Sequence, residues 1–173
     1  MPISLSEREL KHRPLGIREM LEPIGGSSIA AHRDILDVHS VTFGVLNGSR
    51  TTSAIRDWRF KTKDHNVKAN YIERWAILKD KYSLSIAYLT IHDGRSNDEK
   101  ELFSLHCDPM EPKDSKYYLY KSGPHIHVKT GNDKVSQGHI ALNLFNLGDV
   151  VSSYISLNNA LKSAIKMIAH ELI

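Results

Sequence analysis

The chain has 173 residues, 40% of them hydrophobic and 25% charged, a balance that suits one globular domain with its own core. A single cysteine, Cys107, excludes an internal disulfide framework, and no stretch reaches membrane-spanning length. The opening MPISLSERELKHRP carries charges where a signal peptide needs an apolar core, so the expectation is a cytoplasmic protein with no membrane partner. A net charge of +3 is too small to imply nucleic acid by itself.

Taken in order, Ser6 with Glu7 and Glu9 predicts a capped short helix ended by Pro14, and Leu15 to Leu21 a second one closed by Pro23. Gly25 and Gly26 break the chain, and Ser27 or Ser28 caps a brief helix through Ala31. From Leu36 the pattern turns to strands. VHSVTFGVL is rich in β-branched and aromatic residues, Asn47-Gly48 signals a hairpin, and a strand from Thr52 to Thr62 returns from it. A polar loop from Lys63 to Asn66 leads to strands Tyr71 to Leu78 and Ser83 to His92, joined by Lys79-Asp80-Lys81. Asp93 to Lys100 is a polar loop.

Between Arg56 and Lys81 stand eight Lys/Arg against four Asp/Glu, interleaved with Trp58, Phe60, Tyr71 and Trp75. Cations on phosphates and aromatic platforms for bases hold single-stranded nucleic acid, which makes Arg56, Arg59, Lys61, Lys63, Lys68 and Arg74 candidate phosphate contacts. The plainer alternative is a half-buried strand with Trp58 and Phe60 facing a core while Arg59 and Lys61 stay wet.

Glu101 to Leu144 is the informative stretch. It holds His106, His125, His127 and His139 together with Cys107. Alternation puts Leu102, Ser104, His106 and Asp108 on one side of a strand, with Phe103, Leu105 and Cys107 on the other. Pro109 and Pro112 end that strand, and Lys116 to Lys121 forms a further short one. In His125-Ile126-His127-Val128, period two aims both imidazoles to one face. After a turn from Thr130 to Lys134, His139, Ala141 and Asn143 share a face.

Were these segments neighbouring antiparallel strands, His106, Asp108, His125, His127 and His139 would converge. Two His from H-x-H with a third His or a carboxylate match a three-ligand catalytic zinc site or a non-haem iron site, so zinc, manganese and iron are the candidate cofactors. The same imidazoles could instead act without metal as general acid and base in phosphoester cleavage, with His125, His127 and His106 as the catalytic set. A third reading is a histidine-lined binding groove with no chemistry. Cupins, histidine-triad nucleotide hydrolases and two-histidine phosphoesterases each require a motif that these residues lack. Cys107 reads as a small buried hydrophobe and not as a nucleophile.

Asp149 or Ser156 caps a helix running to about Leu172, whose Leu157, Leu161, Ile165, Ile168 and Leu172 form one stripe beside Ala160 and Ala164. That stripe suits packing on the sheet, with a homodimer contact as the other use.

Leu105-His106-Cys107-Asp108-Pro109, Gly123-Pro124-His125-Ile126-His127-Val128, His139-Ile140-Ala141-Leu142 and a terminal helix follow one another over residues 83 to 172. This succession resembles small uncharacterised bacterial proteins with a Pro-His-hydrophobic-His-Val core, found near toxin–antitoxin or phage-defence genes. The resemblance implies a defence or toxin setting and a protein partner from an adjacent gene, without an established mechanism.

The expectation is therefore a single α+β domain over residues 1–173, with a helical lead-in (1–35), a β-rich body (36–148) and a C-terminal helix (149–173). Its sheet is curved and antiparallel, and the helix packs on one face. The expected function is a small defence or toxin-type protein that cleaves phosphoesters of nucleic acid or a nucleotide at a histidine-lined pocket. The alternative is a non-catalytic binding or accessory subunit that docks a protein partner.

Overall fold

A computed structural model of the chain describes residues 3–26, 29–33, 39–45, 58–61, 66–94, 101–109, 123–132, 135–142 and 153–172. In chain order these form β1 (Ser4–Leu5), α1 (Glu7–Leu21), a 3-10 turn (Glu22–Ile24), β2 (Ile29–Arg33), β3 (Ser40–Val45) and β4 (Trp58–Lys61). Then come β5 (Asn66–Leu78), β6 (Lys81–Asp93), β7 (Glu101–Cys107), β8 (His125–Asn132), β9 (Val135–Ala141) and α2 (Tyr154–Leu172). The nine strands among the described residues make one sheet in the order β2-β3-β5-β6-β7-β8-β9, with β1 added to β6 and β4 to β5. Every pairing is antiparallel. With a helix from each end of the chain, the fold is α+β. No described helix is long and apolar enough to cross a membrane.

The spine is the β5–β6 hairpin, thirteen residues in each strand. A β-bulge lies between Arg74 and Trp75, where Trp75 pairs with Leu84 and Arg74 with Ile86. Bulges bend a strand and shift its alternation. Strict period two would put Leu84 and Tyr88 on one face; the bulge instead buries Leu84 with Trp75 and turns Tyr88 to the other side.

One face of the sheet belongs to the helices. Tyr71, Glu73 and Trp75 on β5, Leu84, Ala87, Leu89 and Ile91 on β6, and Leu105 and Cys107 on β7 all lie in the core. They are joined there by Ile17, Met20 and Leu21 of α1 and by Leu157, Leu161, Ala164 and Ile165 of α2. The α2 stripe is thus a core face, as its spacing predicts.

At the centre of this interior is a charged pair. Arg13 is 3% exposed and Glu73 0%. The guanidinium donates from Nε to Glu73 Oε1 at 2.6 Å and from Nη2 to Oε2 at 2.7 Å, a two-pronged contact. The Tyr71 hydroxyl and Trp75 Nε1 donate to the same carboxylate, and Arg13 Nη1 donates to Asn158 Oδ1 of α2. One carboxylate therefore ties β5 to α1 and, through Arg13, to α2. Burial opposes the Arg13 charge, but the Glu73 carboxylate outweighs it and holds the guanidinium protonated. Burial, followed by the charge of Glu73, pushes the Tyr71 hydroxyl well above its ordinary range.

Several local expectations change. The N-terminal segment is one helix that continues through Pro14 instead of two short ones. Loss of one N–H bond to proline costs about 3 kcal/mol, and Arg13, Ile17, Met20 and Leu21, all buried, hold the helix across it. Its start is as expected: Ser6 Oγ accepts from Glu9 N–H, and Glu9 Oε2 accepts from Ser6 N–H. The lead-in is not helical throughout. Ile29–Arg33, expected to end a brief helix at Ala31, is a strand, because β3 offers it a free edge over Val41–Val45. Gly25, at φ 75°, ends the 3-10 turn, and a Cβ on Gly26 would stand 2.6 Å from that of Leu21.

The turn of the expected hairpin, Asn47-Gly48, lies outside the described residues, and among the described residues β3 and β4 do not pair with each other. Instead β3 and β4 share one edge of β5, at Ile72–Ala76 and Asn66–Ala69 respectively. β5 begins at Asn66, where a loop is expected, since β4 supplies it with a partner. β9 begins at Val135, four residues ahead of His139, paired with the far end of β8. The cap of α2 is Ser153, whose Oγ accepts from Ser156 N–H at 3.2 Å; Asp149 is outside the described residues. So is the tyrosine-rich segment Lys116 to Lys121.

Replacing Arg13 with Met leaves a carboxylate buried without its cation and should lower unfolding stability by about 3–5 kcal/mol in urea titration. The double change Arg13→Met/Glu73→Leu should recover a substantial part of that loss.

Candidate metal centre

The site is built by strand register. His106 on β7 pairs directly with Tyr88 on β6 and with His125 on β8. Ser104, two residues earlier on the same face, pairs with His127, which in turn pairs with His139 on β9. Cys107 next to His106 is in the helix-covered core, so alternation puts the histidines on the opposite face. The three-histidine convergence expected from H-x-H and a neighbouring strand is present. His139 stands at the matching register position, and its side chain is not among those described.

The rings pack closely. His106 is stacked on Tyr88 with centroids 4.0 Å apart and 19° between planes, and lies 4.0 Å from His127 on its other side. His125 is 4.8 Å from His127. One nitrogen from each of His106, His125 and His127 can be chosen so that all lie within 4.8 Å of one another. Asp108, just past the end of β7, places Oδ2 3.9 Å from His106 Nδ1 and 3.9 Å from His125 Nε2. The four side chains grade from enclosed to accessible: His125 0%, Asp108 1%, His127 9% and His106 16% exposed.

The protonation of His125 follows from its contact. Its Nδ1 is 2.9 Å from the carbonyl oxygen of Gly123. A carbonyl only accepts, so Nδ1 carries a proton, and Nε2 is the nitrogen that faces Asp108 Oδ2. A backbone carbonyl on the far nitrogen is how metal-binding histidines are commonly fixed in tautomer and orientation.

These residues fit a divalent ion. At metal–ligand distances of about 2.0–2.2 Å, two ligands of one tetrahedral ion stand roughly 3.4 Å apart, and two on opposite sides about 4.2 Å. The 3.9 Å separations to Asp108 fall in that interval and exceed hydrogen-bond length. Drawing the three imidazoles together requires side-chain adjustments on the order of 1 Å. The triad can therefore hold a metal ion, with Asp108 beside it.

The expected cation set divides. Arg59 and Arg74 are exposed and Lys68 half-buried, whereas Arg56 and Lys63 lie outside the described residues and Lys61 is placed only by its register opposite Asn66. Three of the four expected aromatic platforms are not there, and the side chain of the fourth, Phe60, is not among those described. Trp58, Tyr71 and Trp75 are buried in the core, and Trp58 Nε1 donates to the Ile24 carbonyl. The half-buried-strand alternative describes them better.

Two neighbours of the site escaped the sequence reading. Tyr88 is concealed by the bulge before it, and the Gly123 carbonyl carries no side-chain signal at all. Ser104, whose Oγ donates to Glu101 Oε1 at 2.9 Å, supports the row beneath His127.

Cys107 is 0% exposed, and burial first, then the charge of Asp108, pushes its thiol above the ordinary range. It should resist alkylation at pH 8 in the folded protein and react fully in denaturant, as measured by mass spectrometry.

Comparison of the chain with protein-family models, with curated proteins and with solved structures gives no match in any of the three, so the resemblance of residues 83–172 rests on its motif alone.

Proposed function

We propose that the chain is a metal-dependent phosphoester hydrolase, with His106, His125 and His127 as metal ligands and Asp108 as a fourth donor or an orienting carboxylate. The observation that carries this reading is the approach of three histidine nitrogens to within 4.8 Å beside a buried carboxylate. Three imidazoles and one carboxylate suit zinc or iron better than the oxygen-loving magnesium or calcium. The chemistry such an ion supplies is Lewis-acid polarisation of a phosphoryl oxygen and acidification of water.

The chain's own residues prepare the site for that chemistry. Gly123 holds the His125 ring so that Nε2 faces inward. Tyr88 and His127 flank His106 and restrict its rotation. Asp108 stands close enough to His106 and His125 to orient both rings as ligands or to serve as a fourth donor were a metal bound. His106, the most accessible of the four, marks the side from which a phosphoester approaches. The defence or toxin setting implied by the resemblance is compatible with this chemistry and adds no residue to it.

One observation favours a second reading, a non-catalytic binding module: His125 and Asp108 are fully enclosed, as ligands of a purely structural ion are. The two readings part on activity. Purified without chelators, the protein should carry about one equivalent of zinc or iron by elemental analysis. It should hydrolyse bis(p-nitrophenyl) phosphate. His127→Ala, and separately His125→Gln, should remove the metal and lower turnover by more than the roughly 100-fold that loss of an outer hydrogen-bond partner costs. Metal present without turnover would select the binding module. Absence of metal after incubation with zinc, iron and manganese salts would overturn both metal assignments.

A further inference from the structure

We propose that the substrate of this centre is a single-stranded polynucleotide, laid across the histidine-bearing face with its flanking phosphates on Arg59, Lys68 and Arg74. This rests on the phosphoester reading above and adds the substrate class.

The first argument is charge segregation by register. Arg59 on β4 pairs with Lys68 on β5, Lys68 pairs with His92 on β6, and Arg74 pairs with Ile86, two residues before Tyr88. All therefore share the face of Tyr88 and His106. The carboxylates of these strands lie on the helix side: Glu73 in the core, and Asp93 opposite the buried Val67. Among the described residues of β4, β5 and β6, the histidine-bearing face thus carries cations and no Asp or Glu; the nearest carboxylate outside the centre is Glu101 of β7, paired with His92 and held by Ser104 Oγ.

The second argument is length. Lys68 and Arg74 are six residues apart on one strand, about 20 Å at the rise of a β-strand. The band they define runs beside the metal centre at two strand spacings, roughly 10 Å from His106. A mononucleotide cannot occupy both ends of that band and the centre together, whereas a polymer with a phosphate in every unit can. Asn70 and Thr90, paired with each other between the cations, offer hydrogen-bonding groups along the path.

The third argument is access. His127 is 9% exposed and His125 0%, so the reacting phosphate must enter a recess. Duplex DNA has a persistence length of about 150 base pairs and does not fold one phosphate into a recess, whereas a single strand conforms to it. With Trp58, Tyr71 and Trp75 in the core, these three rings offer no stacking platform, and the contacts on Arg59, Lys68 and Arg74 are with phosphates.

The test is fluorescence anisotropy on the full chain in chelator, which separates binding from cleavage. The probe is a mixed-sequence oligonucleotide of about twelve residues, as single-stranded DNA and as RNA. At least one should bind, with log K falling against log salt at a slope near −2, from about −0.7 per phosphate for three contacts. Arg59→Gln/Lys68→Gln/Arg74→Gln should weaken binding at least tenfold and flatten the slope. Circular dichroism and melting report that the variant folds, and Arg59→Gln/Arg74→Gln, both at exposed positions, repeats the test if the triple variant does not. Duplex DNA and ATP should bind at least tenfold more weakly than the single strand. Binding unchanged by the substitutions, equal binding of duplex or ATP, or no binding of either oligonucleotide would overturn the proposal. Cation-dependent oligonucleotide binding by a protein that takes up no metal would sink the hydrolase reading and leave the face as a single-strand binding surface, not a substrate site. Metal and bis(p-nitrophenyl) phosphate turnover without oligonucleotide binding would sink this one alone.

Discussion

A carboxylate with no access to water organises this fold. Glu73 accepts from Arg13, Tyr71 and Trp75, and the same guanidinium reaches Asn158. Charges are removed from water at a cost of several kcal/mol each, and a pair of this kind is tolerated only when geometry and hydrogen bonding are complete. Completing it requires α1, α2 and β5 in one arrangement. Both helices are thereby committed to one side of the sheet, and the other side carries the histidines and the cations, with Ile72 and Ile86 among them.

The second constraint is the pleat. Once Glu73 faces the helices, its register partners Ala87 and, one strand further, Cys107 must face them too. The residues after these two alanine and cysteine positions, or before them, are then forced outward: Tyr88 on β6 and His106 on β7. The ladder continues to His125 on β8. The buried ion pair and the histidine centre are thus two consequences of one alternation, read on opposite faces. A register slip by one residue in β7 would send His106 into the apolar core and Cys107 out among the imidazoles.

This explains how much could be read beforehand. The shared face of His125 and His127, and that of His106 and Asp108, follow from a two-residue period within one strand, which sequence displays directly. Their meeting depends on β7 and β8 being neighbours, which pairing across an intervening segment decides and no local pattern records. The amphipathic stripe of α2 was readable because burial repeats at helical spacing. Glu73 was not, because a glutamate flanked by Ile72 and Arg74 looks like a wet-face residue, and its cation lies 60 positions away. Pro14 misled for a related reason: proline weakens a helix locally, and here the contacts that sustain it are with distant residues. The bulge opposite Arg74 and Trp75 hid Tyr88 by breaking the two-residue alternation along β6.

The gradient of exposure across the centre bears on what the site can do. A purely structural ion gains from closure on every side, and a ring of equally buried ligands would provide it. Here His125 and Asp108 are sealed while His106, stacked between Tyr88 and His127, retains an open edge at 16%. Sealing the inner ligands strengthens their interaction with a cation by excluding water, and the accessible edge leaves a direction of approach. On the proposed phosphoesterase reading, an anion reaches the centre over this edge, and the cations Lys68 and Arg74 lie two strands away on the same face.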